Sequence, residues 1–142
     1  MRETSPMPSL SIVIVNWNAR DGLSACLRAL DAQTDPDFET IVVDNGSTDG
    51  SVEMIAADHP RVRVLQTGEN LGFAEGCNRG ITASTADWVF LLNNDAVADR
   101  GLVAALRARA LEAGPRDGMF QARILFTQKP DHTNSTGILL FS

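Results

Sequence analysis

No apolar run in this sequence is longer than about five residues, far short of the ~20 that a membrane-crossing helix requires. The opening MRETSPMPSL also lacks the apolar segment of a secretion signal. The expected location is therefore cytoplasmic, with a longer parent protein at most peripheral at the inner membrane face. Basic residues are in deficit: 12 Lys and Arg against 18 Asp and Glu give a net charge of -6. Without a clustered basic face, nucleic acid is excluded as a partner. Cysteine is scarce. Cys26 and Cys77 sit inside helical patterns without metal-ligand spacing, and they read as buried free thiols. No GxGxxG follows the first apolar run and no GxxxxGK(S/T) occurs anywhere, which removes the dinucleotide and phosphate-cradle readings. Histidine is limited to His59, ahead of a proline, and His132, near the end. Neither belongs to a Ser/His/Asp order, and both are expected on a solvated surface. Internal repeats and low-complexity segments are absent as well.

What is present is an alternation of strand and helix signals in 142 residues that are 44% hydrophobic, enough for one ordinary domain with its own core. Residues 12–15 form a continuous β-branched run, and Leu23, Cys26, Leu27 and Leu30 recur at helical spacing. A second strand is expected at 41–43, a short helix around Val52, Ile55 and Ala56, and a third strand at 62–65 after the Pro60 break. Phe73, Cys77 and Ile81 mark a third helix face, with Phe73 expected in the core. Residues 88–92 give a fourth strand, and Leu102, Ala105, Leu106 and Ala110 a fourth helix. The loop AGPRDG then leads to an extended segment at 119–126. Strands apolar on both faces and separated by helices predict an α/β fold, a mostly parallel sheet with helices on both faces.

Ligands of such sheets bind beyond the carboxyl ends of the strands. The first strand ends in Asn16, Trp17 and Asn18. The second ends in Asp44, Asn45, Gly46, Ser47, Thr48 and Asp49, and the fourth, WVFLLNNDA, runs from apolar side chains straight into Asn93, Asn94 and Asp95. Any one cluster could serve as a helix cap or a turn, and Ser47, Thr48 and Asp49 precede a helix as caps do. Three clusters on one sheet edge point instead to a ligand. Asp95 and Asn93, two apart on an extended backbone, offer oxygen atoms in the same direction, as a hard divalent cation such as Mg or Mn prefers. Water and diphosphate oxygens ordinarily complete such a coordination shell.

The stretches SIVIVNWN, IVVDNGSTDGS, NLGFAEGCNRG and FLLNNDA, in this order and at these intervals, resemble the nucleotide-sugar-binding part of family 2 glycosyltransferases of the Rossmann-like GT-A fold. The resemblance covers residues 9 to about 139. NWN, NLGFA with NRG, and NND in place of a two-aspartate signature look most like the rhamnosyltransferase branch. It implies a nucleoside diphosphate sugar as partner, a dTDP- or UDP-sugar, and a glycan or lipid-linked acceptor for the full-length protein. Carried over by position, it implies that Val15, Asn16, Trp17 and Asn18 line the base and ribose and that Asp44 hydrogen-bonds the pyrimidine, with Asn45 beside it. Asn70, Gly72 and Asn78 fall in the second nucleotide-side motif. Asn93 and Asp95 take the outer positions of the metal signature as its ligands, and Asn94, the middle one, is a nucleotide-binding candidate. Arg79 is a further candidate for the phosphates, but a solvated helix face is the favoured reading for an isolated arginine.

The pattern also departs from the family. Asn93 stands where a carboxylate is usual, which leaves Asp95 as the single anionic ligand. The family's general base follows a later Gly-rich and aromatic segment, and nothing in this sequence matches it. The expectation is thus an N-terminal tail at 1–8 and a donor-binding domain at 9–142, truncated before its acceptor half and inactive alone. Apolar surface near 138–141 would favour a homo-oligomer. The competing reading is a non-catalytic nucleotide-binding or regulatory α/β module. A receiver-type module would need acidic residues after the first strand, where Asn16, Trp17 and Asn18 stand.

Overall fold

The computed structural model describes residues 9–114, 116, 118–126 and 128–135. The chain divides into two compact units, with the boundary along the sequence between Glu112 and Ala113. The first begins with β1 (Leu10–Asn16), α1 (Arg20–Asp31), β2 (Glu39–Asp44), α2 (Ser51–Asp58) and β3 (Arg63–Gln66). It continues through α3 (Phe73–Ala83), β4 (Trp88–Leu91) and α4 (Leu102–Glu112). The four strands form one parallel sheet in the order β3-β2-β1-β4.

Alternation along β1 divides the core between the two faces. Leu10, Ile12 and Ile14 pack with Leu23, Cys26, Leu27 and Leu30 of α1, Met54 and Ile55 of α2, and Val103 of α4. Val13 faces the other way, with Ile41, Val43, Leu65 and Ala83, the last residue of α3. Helices thus cover both faces, as both-sided apolar strands require. The chain steps from β1 through β2 to β3 and then crosses back to place β4 on the far side of β1. The order reverses between β1 and β4, the point at which open parallel sheets form a ligand crevice.

The third helix approaches β1 through glycines rather than through its aromatic residue. A Cβ on Gly76 would lie 2.7 Å from Cγ1 of Val15, and one on Gly80 would overlap Val13. Phe73, expected in the core, is 58% exposed, and Ile81 is also exposed. The face turned to the sheet is Gly76, Cys77 and Gly80. His59 corrects the sequence reading as well. It is buried at the C-terminal cap of α2, with Nδ1 2.7 Å from Oδ2 of Asp31 at the end of α1. Cys26 and Cys77 are free and buried, as expected.

At the amino end of α4, the Val103 N–H donates to Oε1 of Gln33 at 3.0 Å, while Nε2 of Gln33 donates to the Asp99 carbonyl at 2.7 Å. Buried Arg107 donates to both oxygens of Asp35 and to Asp37, at 2.7–2.9 Å. These contacts fasten α4 to the turn between α1 and β2.

In the second unit, β5 (Ile124–Phe126) pairs antiparallel with β6 (Lys129–Ser135). The extended segment expected at 119–126 is a strand only in its last three residues. The apolar run at 138–141 lies outside the described residues. Among the described residues, no helix is long and apolar enough to cross a membrane.

Candidate functional site at the carboxyl edge of the sheet

β1, β2 and β4 all deliver their polar ends to one edge, because they are parallel and in register. Asn16 stands opposite Asp44 across the β1–β2 ladder, and the Leu92 N–H extends the β4 side by donating to the Val13 carbonyl at 2.9 Å. Asn16 is fully buried. Its Nδ2 donates to Oδ1 of Asp44 at 3.1 Å and to Oγ of Ser47 at 3.2 Å, and its Oδ1 accepts from Nδ2 of Asn94 at 3.0 Å. The three strand ends that the sequence set apart are thus joined by side-chain hydrogen bonds.

Asp44 is 2% exposed. Its Oδ1 also accepts from the Ser47 hydroxyl at 2.6 Å, and its Oδ2 accepts from the Ser47 N–H at 2.9 Å. Ser47 is therefore an organiser as well as a turn residue, and its Oγ further accepts from the Asn18 N–H at 3.0 Å. Asn18 has φ of 47°, a left-handed conformation that asparagine tolerates better than most residues. Its Oδ1 accepts from the Thr48 N–H at 2.8 Å. Asp49 accepts from the Arg20 N–H at 2.8 Å through Oδ2, and from Ser51 N–H and Oγ at 3.1 and 2.6 Å through Oδ1. One carboxylate thereby serves the first residue of both α1 and α2, where neither helix has a side-chain cap of its own. Burial acts to raise the Asp49 carboxyl, but these hydrogen bonds outweigh it and hold the group below its ordinary value.

Asn45 fixes the next loop. Its Nδ2 donates to the Gly72 carbonyl at 3.0 Å, and its Oδ1 accepts from Oγ1 of Thr67 at 3.3 Å. Oδ1 of Asn70 accepts from the Gly72 N–H at 2.9 Å. Gly72 itself has φ of 82°, which admits glycine far more readily than any other residue. Trp17, which follows Asn16, is 54% exposed, and Phe73, beside Gly72, is exposed as well. Asn78 is exposed on α3 and makes no hydrogen bond with the strand-end residues. Arg79 is paired with Glu75 at 2.7 Å on the solvated face of the same helix.

The Asn93–Asp95 turn rests on α1. Cys26 Sγ donates to the Asn93 carbonyl at 3.6 Å, and a Cβ on Gly22 would lie 3.4 Å from the Asn94 carbonyl oxygen and 3.7 Å from Cβ of Asp95. Burial, with a smaller contribution from Asp95, pushes the Cys26 thiol up to about 12. The side chains of Asn93 and Asp95 are exposed and accept no hydrogen bond from the described residues. Among those residues no three His, Cys, Asp or Glu side chains gather to form a metal site. One carboxylate and one amide oxygen, both without donors among the described residues, fit a hard divalent cation that takes its remaining ligands from water and diphosphate.

An open cavity of about 430 Å³ lies at the amino end of α1, lined by Asn18, Ala19, Arg20, Asp21, Gly22 and Asp49. Another, of about 350 Å³, opens at the amino ends of β1 and β2, away from the strand-end cluster.

The Glycosyl transferase family 2 model matches residues 11–138. The chain belongs to glycosyl transferase family 2. It is 35% identical over 106 residues to the uncharacterized glycosyltransferase YibD of Escherichia coli, covering 72% of this chain and 30% of that protein. It is 33% identical over 120 residues to an N-acetylglucosaminyl-diphospho-decaprenol L-rhamnosyltransferase of Mycobacterium tuberculosis, covering 77% of this chain and 39% of that one. The chain thus spans well under half of these relatives. Among solved structures, S. aureus TarS 1-349 in complex with UDP-GlcNAc superposes with a TM-score of 0.69 at 17% identity, over 85% of this chain and 41% of that chain. The mannosyltransferase PcManGT of Pyrobaculum calidifontis, in complex with GDP-Man and Mn2+, gives 0.66 at 24% identity, over 78% and 34%. At these identities the structural likeness establishes the fold, which is GT-A.

Several residues that shape the site were not singled out as site residues from the sequence. Gly22 and Cys26 lie four apart, on one face of α1, a spacing that marks a contact surface. Ser47 reads as an ordinary turn residue, and nothing local reveals that its hydroxyl joins Asn16, Asn18 and Asp44.

Proposed function

We propose that this chain is the donor-binding part of a metal-dependent glycosyltransferase. In this reading the whole protein transfers a sugar, with rhamnose the leading candidate, from a dTDP- or UDP-sugar to a glycan or lipid-linked acceptor. The observation that carries it is an exposed Asp95 carboxylate beside Asn93, without a donor among the described residues, on the same sheet edge as the inward-held Asp44, with Asn16 of β1 bridging the β2 and β4 ends. The rhamnosyltransferase among the relatives supports the choice of sugar. The cation bound with a nucleotide sugar in PcManGT supports the choice of cofactor.

Each residue has a part in this reading. Both donors to Oδ1 of Asp44 come from protein, whereas Oδ2 takes only the Ser47 N–H and keeps accepting capacity. That oxygen suits the ring N–H of uracil or thymine and meets only an acceptor in cytosine. Trp17 and the backbone of Val15 and Asn18 frame the base and ribose, and Asn45 holds the Asn70–Gly72 turn against them. Asn78, exposed on α3, is assigned a contact with the nucleotide in this reading. Asp95 and Asn93 hold the cation, Mg or Mn. When bound, it supplies Lewis-acid neutralisation of the charge left on the departing nucleoside diphosphate.

Calorimetry tests this reading. UDP or dTDP should bind with Mn2+ and weaken when a chelator is added, and CDP and GDP should bind more weakly than either. Equal binding of GDP and UDP would remove Asp44 from the base site, and indifference to chelator would remove the metal.

A further inference from the structure

The hydrogen bonds that join the strand ends run in one chemical direction. A carboxylate can only accept, so Asp44 forces the Asn16 amide to turn Nδ2 toward it, at 3.1 Å. Oδ1 of Asn16 is then fixed on the β4 side as an acceptor. Asn94 must answer with Nδ2, at 3.0 Å. Oδ1 of Asn94 is thereby left as the free acceptor of that amide, with no partner among the described residues, in the turn that carries Asn93 and Asp95. Asn16 itself has nothing to offer a ligand. It is fully buried, its amide is engaged by Asp44, Ser47 and Asn94, and its carbonyl accepts from the Asn45 N–H at 2.8 Å.

We propose that Asn16 is a positioning residue that couples the base end of the donor site to its cation end. It holds Asp44 and Asn94 in one mutually consistent orientation, so that filling either end favours filling the other. The inference rests on the donor-site reading above, but it assigns Asn16 to the link between the two ends rather than to nucleotide contact. Without its amide, the buried Asp44 carboxylate loses one of its three donors and Asn94 is free to flip. Coupling of this kind is reciprocal, so each end should register a change made at the other.

Two affinity ratios measured on the 142-residue chain test the proposal. One is the preference for UDP over CDP with Mn2+ present, which reads the base end. The other is the gain in UDP affinity on adding Mn2+, which reads the cation end. Asn94→Ala should lower the UDP preference as well as the Mn2+ gain. Asp44→Asn removes the group that sets the direction of the relay and should lower the Mn2+ gain as well as the UDP preference. Each cross-effect should be about fivefold, the lower end of ordinary coupling between sites. Asn16→Leu should lower both ratios, and Asn94→Ala added to it should no longer change the UDP preference.

Folded variants in which Asn94→Ala moves only the Mn2+ gain and Asp44→Asn only the UDP preference would overturn the coupling. So would a folded Asn16→Leu chain with both ratios intact. Should Asn16→Leu fail to fold, the Asn94 and Asp44 variants decide the matter alone. A wild-type chain with no base preference and no Mn2+ gain would instead overturn the donor reading, and this inference with it.

Discussion

Asp95 and Asp44 are both aspartates at strand ends, yet their surroundings give them opposite chemistry. Asp44 is enclosed and held by three hydrogen bonds, whereas Asp95 is exposed and takes no donor from the described residues. A carboxylate prepared this way is available to a cation and contributes little to the fold. Asp95→Ala should therefore abolish the Mn2+-dependent part of UDP binding while leaving the melting temperature nearly unchanged, which calorimetry and thermal denaturation would show together. An unchanged Mn2+ dependence would mean that the cation sits elsewhere. Beneath this turn, Cys26 stays a protonated thiol at neutral pH, since burial first and Asp95 second push it up to about 12. Iodoacetamide should leave it unlabelled in the native chain and modify it after denaturation. At this scale the sequence was legible in placement: the polar NND that follows an apolar run stands on the same sheet edge as Asn16 and Asp44. It misled where a side chain could pack in either of two settings. Phe73 shares a helical spacing with Cys77 and Ile81, but spacing records only apolar residues. The face actually buried carries Gly76 and Gly80, which add nothing to an apolar signal. His59, expected on a solvated surface ahead of its proline, is buried and closes α2 against Asp31.

At the scale of elements, the strands and helices were legible because a parallel sheet leaves few alternatives. Strands apolar on both faces need cover on both, and the helix patterns between them provide it. Contacts between loops were not legible, since they depend on which turns the sheet brings side by side. Asp49 shows the difference. Its position ahead of α2 reads as a cap, but nothing in the sequence reveals that it also receives the Arg20 N–H at the start of α1. Asp49→Ala should cost about 1 kcal/mol for each helix start that loses its acceptor. Because the folded carboxyl titrates below its ordinary value of 3.8, this stabilisation is present above that pH and is lost as pH falls through the folded value. Urea denaturation should separate wild type from Asp49→Ala at neutral pH and bring them together in acid. On the other face of the sheet, α3 lies so close to β1 that Gly80→Ala would drive a methyl into Val13. Overpacking of this kind typically costs about 1–3 kcal/mol. The contact surface also carries Val15 and Asn45, so UDP affinity should fall along with the melting temperature. A Gly80→Ala chain as stable as wild type would show that α3 can move away from the sheet without loss.

At the scale of the whole molecule, holding a nucleotide and transferring a sugar make different demands. In the proposed reading, binding needs Asp44, the Asn93–Asp95 turn and the sheet that aligns them, all of which belong to the first compact unit. Transfer also needs a seat for the acceptor and a carboxylate to take its proton. No candidate for that base was identified in the sequence, and the chain matches only 30–39% of the length of the two relatives described above. We therefore expect the 142-residue chain to bind UDP or dTDP with Mn2+ and to transfer sugar slower than its longer relatives by a factor of ~10² to 10⁴, the usual cost of a missing general base. The decisive comparison sets donor turnover by this chain beside that of a full-length relative, with calorimetry confirming that both bind the nucleotide. Binding without turnover would agree with a donor part, and also with a non-catalytic module. Appending the remaining length of a relative separates these two, because only a donor part would then regain transfer. Robust transfer by the chain alone would place the base within it, and Asp131 and His132, both in β6, would be the first residues to replace.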